Sequence, residues 1–267
     1  MSRAASGCRR SPADPVTEAR VEARIVAAGR GWQWLLEGYG LFSKSPALWL
    51  ALTIAIALMW AVSFFIPVLG PLLFNLLSPA LFAGLMMGCR ALESGKPLEI
   101  AHLFAGFRQH AAPLVTVGGV YLVGTVVVVG IVLVIAGGST LPAVLSKPGA
   151  DIETLREAAR SMMLAFAVGA AVYMPLLMLI WFAPMLVVFN GLAPVAAMKL
   201  SFAACVGNTV PFLVYGAALL LATFVLSLPA ALGPVGGVLV IALFVASIPV
   251  LICSVYTSYQ DIFAARA

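Results

Sequence analysis

Charge is what this 267-residue chain has least of: Asp, Glu, Lys and Arg make up 9% of it, and histidine occurs twice. A water-soluble domain of this length needs a charged surface, which so few ionisable residues cannot supply. Cysteine is also sparse. Cys8, Cys89, Cys205 and Cys253 show no CxxC spacing and no zinc pattern. The chain has no Walker-type P-loop and no GxGxxG, GxSxG, HExxH or paired-carboxylate motif. The sequence signatures of nucleotide binding, hydrolysis and metalloprotease chemistry are therefore missing. No catalytic residue, metal ligand or cofactor site is expected, and no nucleic-acid partner.

What the chain does have is apolar length. It is 63% hydrophobic, with a mean hydropathy of +1.11. Uncharged runs of about 20 residues read as transmembrane helices. In hydrocarbon every backbone N–H and C=O must be paired within the fold, which leaves helices or closed barrels. These runs are too continuous for barrel strands, whose signature is alternation. The sequence thus predicts an all-α integral membrane protein with spans near 47–66, 71–90, 112–137, 161–189, 210–229 and 235–258. "IPVLGP" and "LPAALGP" make tight turns within the first and last pairs. A longer polar loop joins the middle pair, where Asp151 can cap a short helix that starts with Glu153 and Glu157. Residues 1–26 lack the apolar region of a signal peptide and read as a disordered basic tail, and 27–267 as the membrane domain.

Lys and Arg set the orientation. With the N-terminus inside, the inner segments hold Arg3, Arg9, Arg10, Arg20, Arg24, Arg30, Lys44, Arg90, Lys96, Arg108, Lys199 and Arg266. The outer side holds Lys147, Arg156 and Arg160, so the split of the 15 basic residues is 12 to 3. Both termini are expected in the cytoplasm. Cys8, Cys89 and Cys205 then lie on or near a reducing side and Cys253 within the last span, so structural disulfides are not expected. The cysteines read as small buried hydrophobes.

A short amphipathic helix is expected at the interface before each outward span. The first has an apolar stripe of Trp32, Leu35, Leu36 and Tyr39, and the second one of Ile100, Leu103, Phe104 and Phe107, after Pro97 in its first turn. Both follow the i, i+3, i+4, i+7 spacing of one helix face. The third, opened by Pro194, has Val195, Met198, Phe202 and Cys205. Each elbow is followed by a proline, Pro46, Pro113 or Pro211, with a polar residue three positions earlier: Ser43, His110 or Asn208. The chain reads as three copies of elbow, outward span and return span, over about 32–92, 97–190 and 194–260, packed as a pseudo-three-fold bundle. Pro79, Pro184 and Pro249 are expected to kink the return spans. Ala80, Gly84 and Gly88 form a small-residue ridge for a close helix contact, within the chain or in a dimer.

Apart from Arg90 at the very end of the second, no Asp, Glu, Lys, Arg or His falls within the six spans as drawn. Ion-coupled transporters keep such residues at mid-membrane despite a cost of about 2.5–3.5 kcal/mol or more each. The polar groups in the spans are mild: Asn75, Ser78, Thr116, Tyr121, Thr125, Tyr173, Thr223 and Ser247. They read as helix–helix hydrogen bonds, or as the lining of a path for a neutral substrate. His102 and His110 are about 80° apart around a helix axis, which suits no joint metal site. Since His110 stands where the other elbows have serine and asparagine, a generic polar role is expected for it. Arg90, Lys96 and Arg108 are placed to meet anionic lipid headgroups, at about 1 kcal/mol each.

The elbow "GWQWLLEGYGLFSKSPALWL", the runs "IPVLGPLLFNLLSPALFAGLMMGCRAL" and "LEIAHLFAGF", and later "WFAPMLVVFNGLAPVAAMKLSFAACVGN" and "SVYTSYQDIF" resemble a family of small six-span proteins of proteobacterial inner membranes. The resemblance runs from about residue 22 to the end. It implies location and architecture but no activity, since none is assigned to that family. The helix layout is also similar to the membrane domain attached to some glycerophosphodiester phosphodiesterases, whose catalytic residues have no counterpart here. The leading functional reading is a non-enzymatic scaffold or accessory subunit, with a homo-oligomer or another membrane protein as partner. A permease for a neutral or lipid-like substrate comes second and a membrane enzyme third. A cavity between the helices would favour the second. The topology has a direct test. A reporter active only outside the cytoplasm should be silent when fused after Ala267 and active when inserted in the loop 138–160; the opposite result would overturn the orientation.

Overall fold

The structure, a computed structural model, describes residues 21–137 and 151–263. Residues 1–20 of the expected tail, with Cys8, and positions 138–150 of the middle loop lie outside the described residues. No strand occurs among the described residues. The helices are α1 (Arg30–Phe42), α2 (Pro46–Ser63), α3 (Leu69–Glu93), α4 (Ala105–Gly137), α5 (Ile152–Ile180), α6 (Ala183–Asn190), α7 (Pro194–Gly207), α8 (Thr209–Ser227) and α9 (Pro234–Phe263). Two 3-10 turns, Ile100–Phe104 and Leu228–Leu232, interrupt the series. Six stretches are long and apolar enough to cross a membrane: Pro46–Ser63, Leu69–Glu93, Ile100–Ala136, Ile152–Asn190, Thr209–Leu232 and Pro234–Phe263.

Several boundaries move. The short helix expected in the middle loop is the start of α5, and Asp151 caps that long helix by accepting from the Thr154 N–H at 3.2 Å. Hydrogen bonds from the Thr154 hydroxyl and backbone hold the Asp151 carboxyl below its usual range. The last helix runs on to Phe263, five residues past the drawn end of its span at 258, so Asp261 falls inside the helix and is buried. Helices α3 and α5 likewise reach charged residues beyond the drawn spans. The last six positions assigned to the tail, 21–26, lie among the described residues. Residues 21–26 are tied down: Arg24 N–H donates to Ile262 O at 3.0 Å, and Val26 N–H donates to Asn208 Oδ1 at 2.9 Å.

Each expected elbow ends in a break at the polar residue three positions before its proline. Helix α1 stops at Phe42 with Ser43 as its C-cap, His110 leaves helical geometry inside α4 (φ −138°), and Asn208 separates α7 from α8. The second elbow starts later than Pro97 implies. It opens with the Ile100–Phe104 turn, where Glu99 and His102 cap one another, and the His102 ring accepts the Glu99 N–H at 3.0 Å.

Elbow docking follows one rule. The Ile100–Phe104 turn packs on α3, α7 packs on α5 and α6, and α1 packs on α9. Each elbow therefore lies on the return span of the preceding unit, and the first lies on the last. Glycine sets the distances. A Cβ on Gly38 would lie 2.7 Å from Ser254 N, and one on Gly31 would lie 2.1 Å from Pro211 O, so α1 touches the α9 and α8 backbones directly. The Ala80–Gly84–Gly88 ridge makes an intramolecular contact of the same kind: a Cβ on Gly84 would lie 2.3 Å from His102 O.

Half of the most apolar window of α3 is buried, against 6–17% for the other five spans. Burial concentrates where α1, the C-terminal half of α3, α6, α7 and the end of α9 meet, around Trp34, Met86, Phe182, Met185, Tyr256 and Ile262. The opposite halves of α2, α4, α5, α8 and α9 expose large apolar side chains such as Val62, Val134, Phe166, Leu220 and Val238. This is how helices facing lipid tails look. Gly84→Leu should force the Ile100–Phe104 turn off α3 and cost about 1–3 kcal/mol by overpacking. The expected readout is a lower unfolding temperature in detergent; an unchanged one would mean that the contact is slack.

Candidate functional site

Prolines shape the centre of the bundle. Pro79 and Pro249 sit inside the continuous helices α3 and α9. Pro184 does not kink a single helix as expected. It lies in the first turn of α6, after a break at Trp181 and Phe182 that ends α5. Pro175, inside α5, is a further interior proline. The break leaves backbone groups to satisfy in an apolar setting. Ser201, on α7, does this. Its hydroxyl accepts the Phe182 N–H at 2.9 Å and donates to Met178 O at 2.7 Å, bridging the interrupted ladder.

Around this break lies an open cleft of about 460 Å³, lined by α3 (Ser78, Pro79, Phe82), Tyr121 of α4, Leu177, Ile180, Trp181 and Pro184 around the junction of α5 and α6, and α8 and α9. A second chamber of about 420 Å³ lies between α5, the end of α7 and α8, lined by Met174, Met178, Cys205, Thr209, Phe212 and Leu213. Leu177, Trp181, Tyr215 and Leu219 belong to both walls. Both volumes fall in the usual ligand-pocket range of about 300–1,000 Å³. Neither lining contains a charged residue.

The polar atoms here are mostly committed. Ser254 donates to Leu251 O at 2.7 Å, so Tyr215 donates to Ser254 Oγ, also at 2.7 Å. Tyr121 and Tyr173 pair through their hydroxyls at 2.9 Å, which uses one of two O–H donors. The Trp181 indole N–H is buried with no acceptor. Burial pushes the Cys205 thiol up to about 12, which keeps it protonated and inert as a nucleophile.

A polar floor lies where α1 and the ends of α3, α6 and α9 meet, and none of its residues lines either cleft. Tyr256 donates to Glu93 Oε2 and Tyr259 donates to Asn190 Oδ1, both at 2.5 Å, so α9 joins the ends of α3 and α6. Arg90 stacks over the Phe189 ring at 4.9 Å. Cys89 and Cys253 are free, fully buried neighbours with sulfurs 3.9 Å apart. Asp261 holds the outer edge. It accepts from Arg30 Nε and, at 3.0 Å, from Trp34 Nε1, while its own carbonyl accepts from Arg24 at 3.1 Å. Burial opposes the Arg30 charge, but the Asp261 hydrogen bond and the field of Glu37 outweigh it and hold the guanidinium above its ordinary value.

The predicted site residues divide between inside and outside. Trp32, Leu36, Tyr39, Ile100 and Phe104 are exposed, Phe202 is 37% exposed, and Leu35 and Phe107 are half-buried. Leu103 and Met198 point inward instead, under α3 and in the core. Lys96 and Arg108 are exposed, as is Arg90 beside Phe189. The sequence reading missed Trp34, Ser201, Tyr215, Tyr256 and Asp261. For Trp34 a signal was available, since Gly31, Trp34, Gly38 and Leu41 form a second face of the first elbow.

A probable inner membrane protein of Burkholderia thailandensis is 30% identical to this chain over 256 residues, covering 90% of this chain and 93% of the relative. The chain belongs to that family. It is an inner membrane protein, in agreement with its six apolar helices. No family model and no solved structure matches it. Asp261→Ala should remove the acceptor of the buried Trp34 N–H and leave Arg30 with Glu37 as its carboxylate partner, at a cost of about 1–3 kcal/mol. Asp261→Asn, which keeps an acceptor for Trp34, should recover most of that in a detergent unfolding assay; failure to recover would show that the charge on Asp261, and not its hydrogen bond to Trp34, carries the contact.

Proposed function

We propose that this inner membrane protein binds an apolar or lipid-like molecule between its spans, which makes a permease or carrier for such a molecule the preferred reading over a plain scaffold. The observation that carries it is the pair of uncharged chambers meeting at Leu177, Trp181, Tyr215 and Leu219. The lining is apolar, with few polar atoms, as binding sites for hydrophobic ligands are.

The rest of the reading concerns the surroundings of the site. Both termini lie in the cytoplasm, and the polar floor faces that side. The exposed aromatics of the elbows, Trp32, Tyr39 and Phe104, rest in the interface. Arg90, Lys96 and Arg108 meet anionic headgroups there. A fatty acid carrying a photoactivatable diazirine, fed to cells making the protein, tests the central point. On irradiation, labelling should concentrate on peptides covering 174–184 and 209–219. Labelling spread evenly over the exposed faces of α2, α4 and α9 would overturn the reading and return the protein to a scaffold.

A further inference from the structure

We infer that Cys89 and Cys253 form a binding site for one soft, two-coordinate metal ion of the copper(I) or mercury(II) class. The inference is independent of the lipid-binding role, since neither cysteine lines either cleft. The two residues come from separate spans, α3 and α9, 164 positions apart, so no spacing along the chain reveals them. Both are free and fully buried, and their sulfurs lie 3.9 Å apart. One turn further along α3, Glu93 accepts hydrogen bonds from Tyr256 and Gln260 of α9. The two helices thus meet along a seam with a pair of thiols inside and a carboxylate at its exposed end.

Geometry selects the kind of ion. A metal–thiolate bond is about 2.3 Å long, so an ion midway between two sulfurs needs them about 4.6 Å apart. The observed separation is about 0.7 Å short of that, which small rotations of the two side chains supply. Among the described residues no group of three cysteine, histidine, aspartate or glutamate side chains could hold a metal ion. Zinc, which takes four ligands, has too few here. Thiolates favour soft ions, and copper(I) and mercury(II) accept two ligands. Charge points the same way, because an apolar setting penalises a net charge. Mercury(II) displaces both thiol protons to solvent and leaves an uncharged bis-thiolate. Copper(I) displaces one and leaves an uncharged thiolate–thiol pair. Both thiols are shut off from solvent, so loading requires local opening of the seam, and Glu93 at its mouth draws cations towards it.

The test uses full-length protein in detergent, carrying Cys8→Ser and Cys205→Ser so that the pair supplies the remaining thiols. It is loaded separately with copper(I) buffered by bathocuproine disulfonate, with mercury(II) chloride and with zinc chloride, then desalted and counted by elemental mass spectrometry. About one copper or one mercury per chain and no zinc is expected. Adding Cys89→Ser or Cys253→Ser should abolish retention. X-ray absorption of the wild-type protein with one equivalent of mercury should show two sulfur neighbours at about 2.3 Å, a readout that stands even if a variant fails to fold. Retention of one soft ion and not the other keeps the site and names its ion. Retention of neither, retention unchanged in Cys89→Ser and Cys253→Ser, zinc held as well as the soft ions, or a single sulfur neighbour would overturn the assignment.

Discussion

The fold depends on one carboxylate. Asp261 sits in the last turn of α9, is 7% exposed, and receives hydrogen bonds from Arg30 and Trp34. A carboxylate so placed is tolerable only while its donors stay in position. That requirement fixes α1 against α9 and draws residues 21–26 along the same edge through Arg24. The aromatic rings follow: Trp34 lies 5.4 Å from Phe212, which lies 6.1 Å from Phe182, itself 5.3 Å from Phe263. One electrostatic contact at the rim thus organises the packing of α1, α6, α8 and α9 below the cavity.

The cavity and its breach in the helix come from the same cause. A proline at 184 cannot continue the ladder of α5, and its ring excludes the carbonyl one turn back. The chain answers with a hydroxyl from another element, Ser201, in place of the lost helical bond. The repair restores the backbone but not the cylinder of the helix, and the wall at Trp181 is where the two chambers meet.

What was legible in the sequence follows the strength of the physical signal. Six spans could be read because the bilayer imposes their length and removes their charge. The recurrence of a polar residue three positions before each entry proline also stood out, and the structure adds that these residues, Ser43, His110 and Asn208, are where the helices break. The inner faces of the elbows were harder to see. The periodicity of Trp32, Leu35, Leu36 and Tyr39 marks a membrane-facing stripe as strongly as a core-facing one, so Trp34 on the adjacent face was overlooked. Asp261 was missed because hydropathy falls before the helix ends, and a polar helix end looks like a tail. The chambers left no trace, since the same leucines, tryptophan and tyrosine would fill a solid core equally well.

The docking of α1 on α9 has a consequence for how the protein is made. The polypeptide leaves the ribosome from its N-terminus, so Arg30 and Trp34 are inserted long before Asp261 has been synthesised. Throughout that interval α1 has no seat, and the first elbow waits on the last helix to close the ring. The elbows at residues 100–104 and 194–207 differ in this respect, since each finds its supporting span already in place. Maturation is therefore sequential for two units and retroactive for one. An interrupted chain shows its unseated helix to the cell's membrane quality-control machinery, while a finished one hides it.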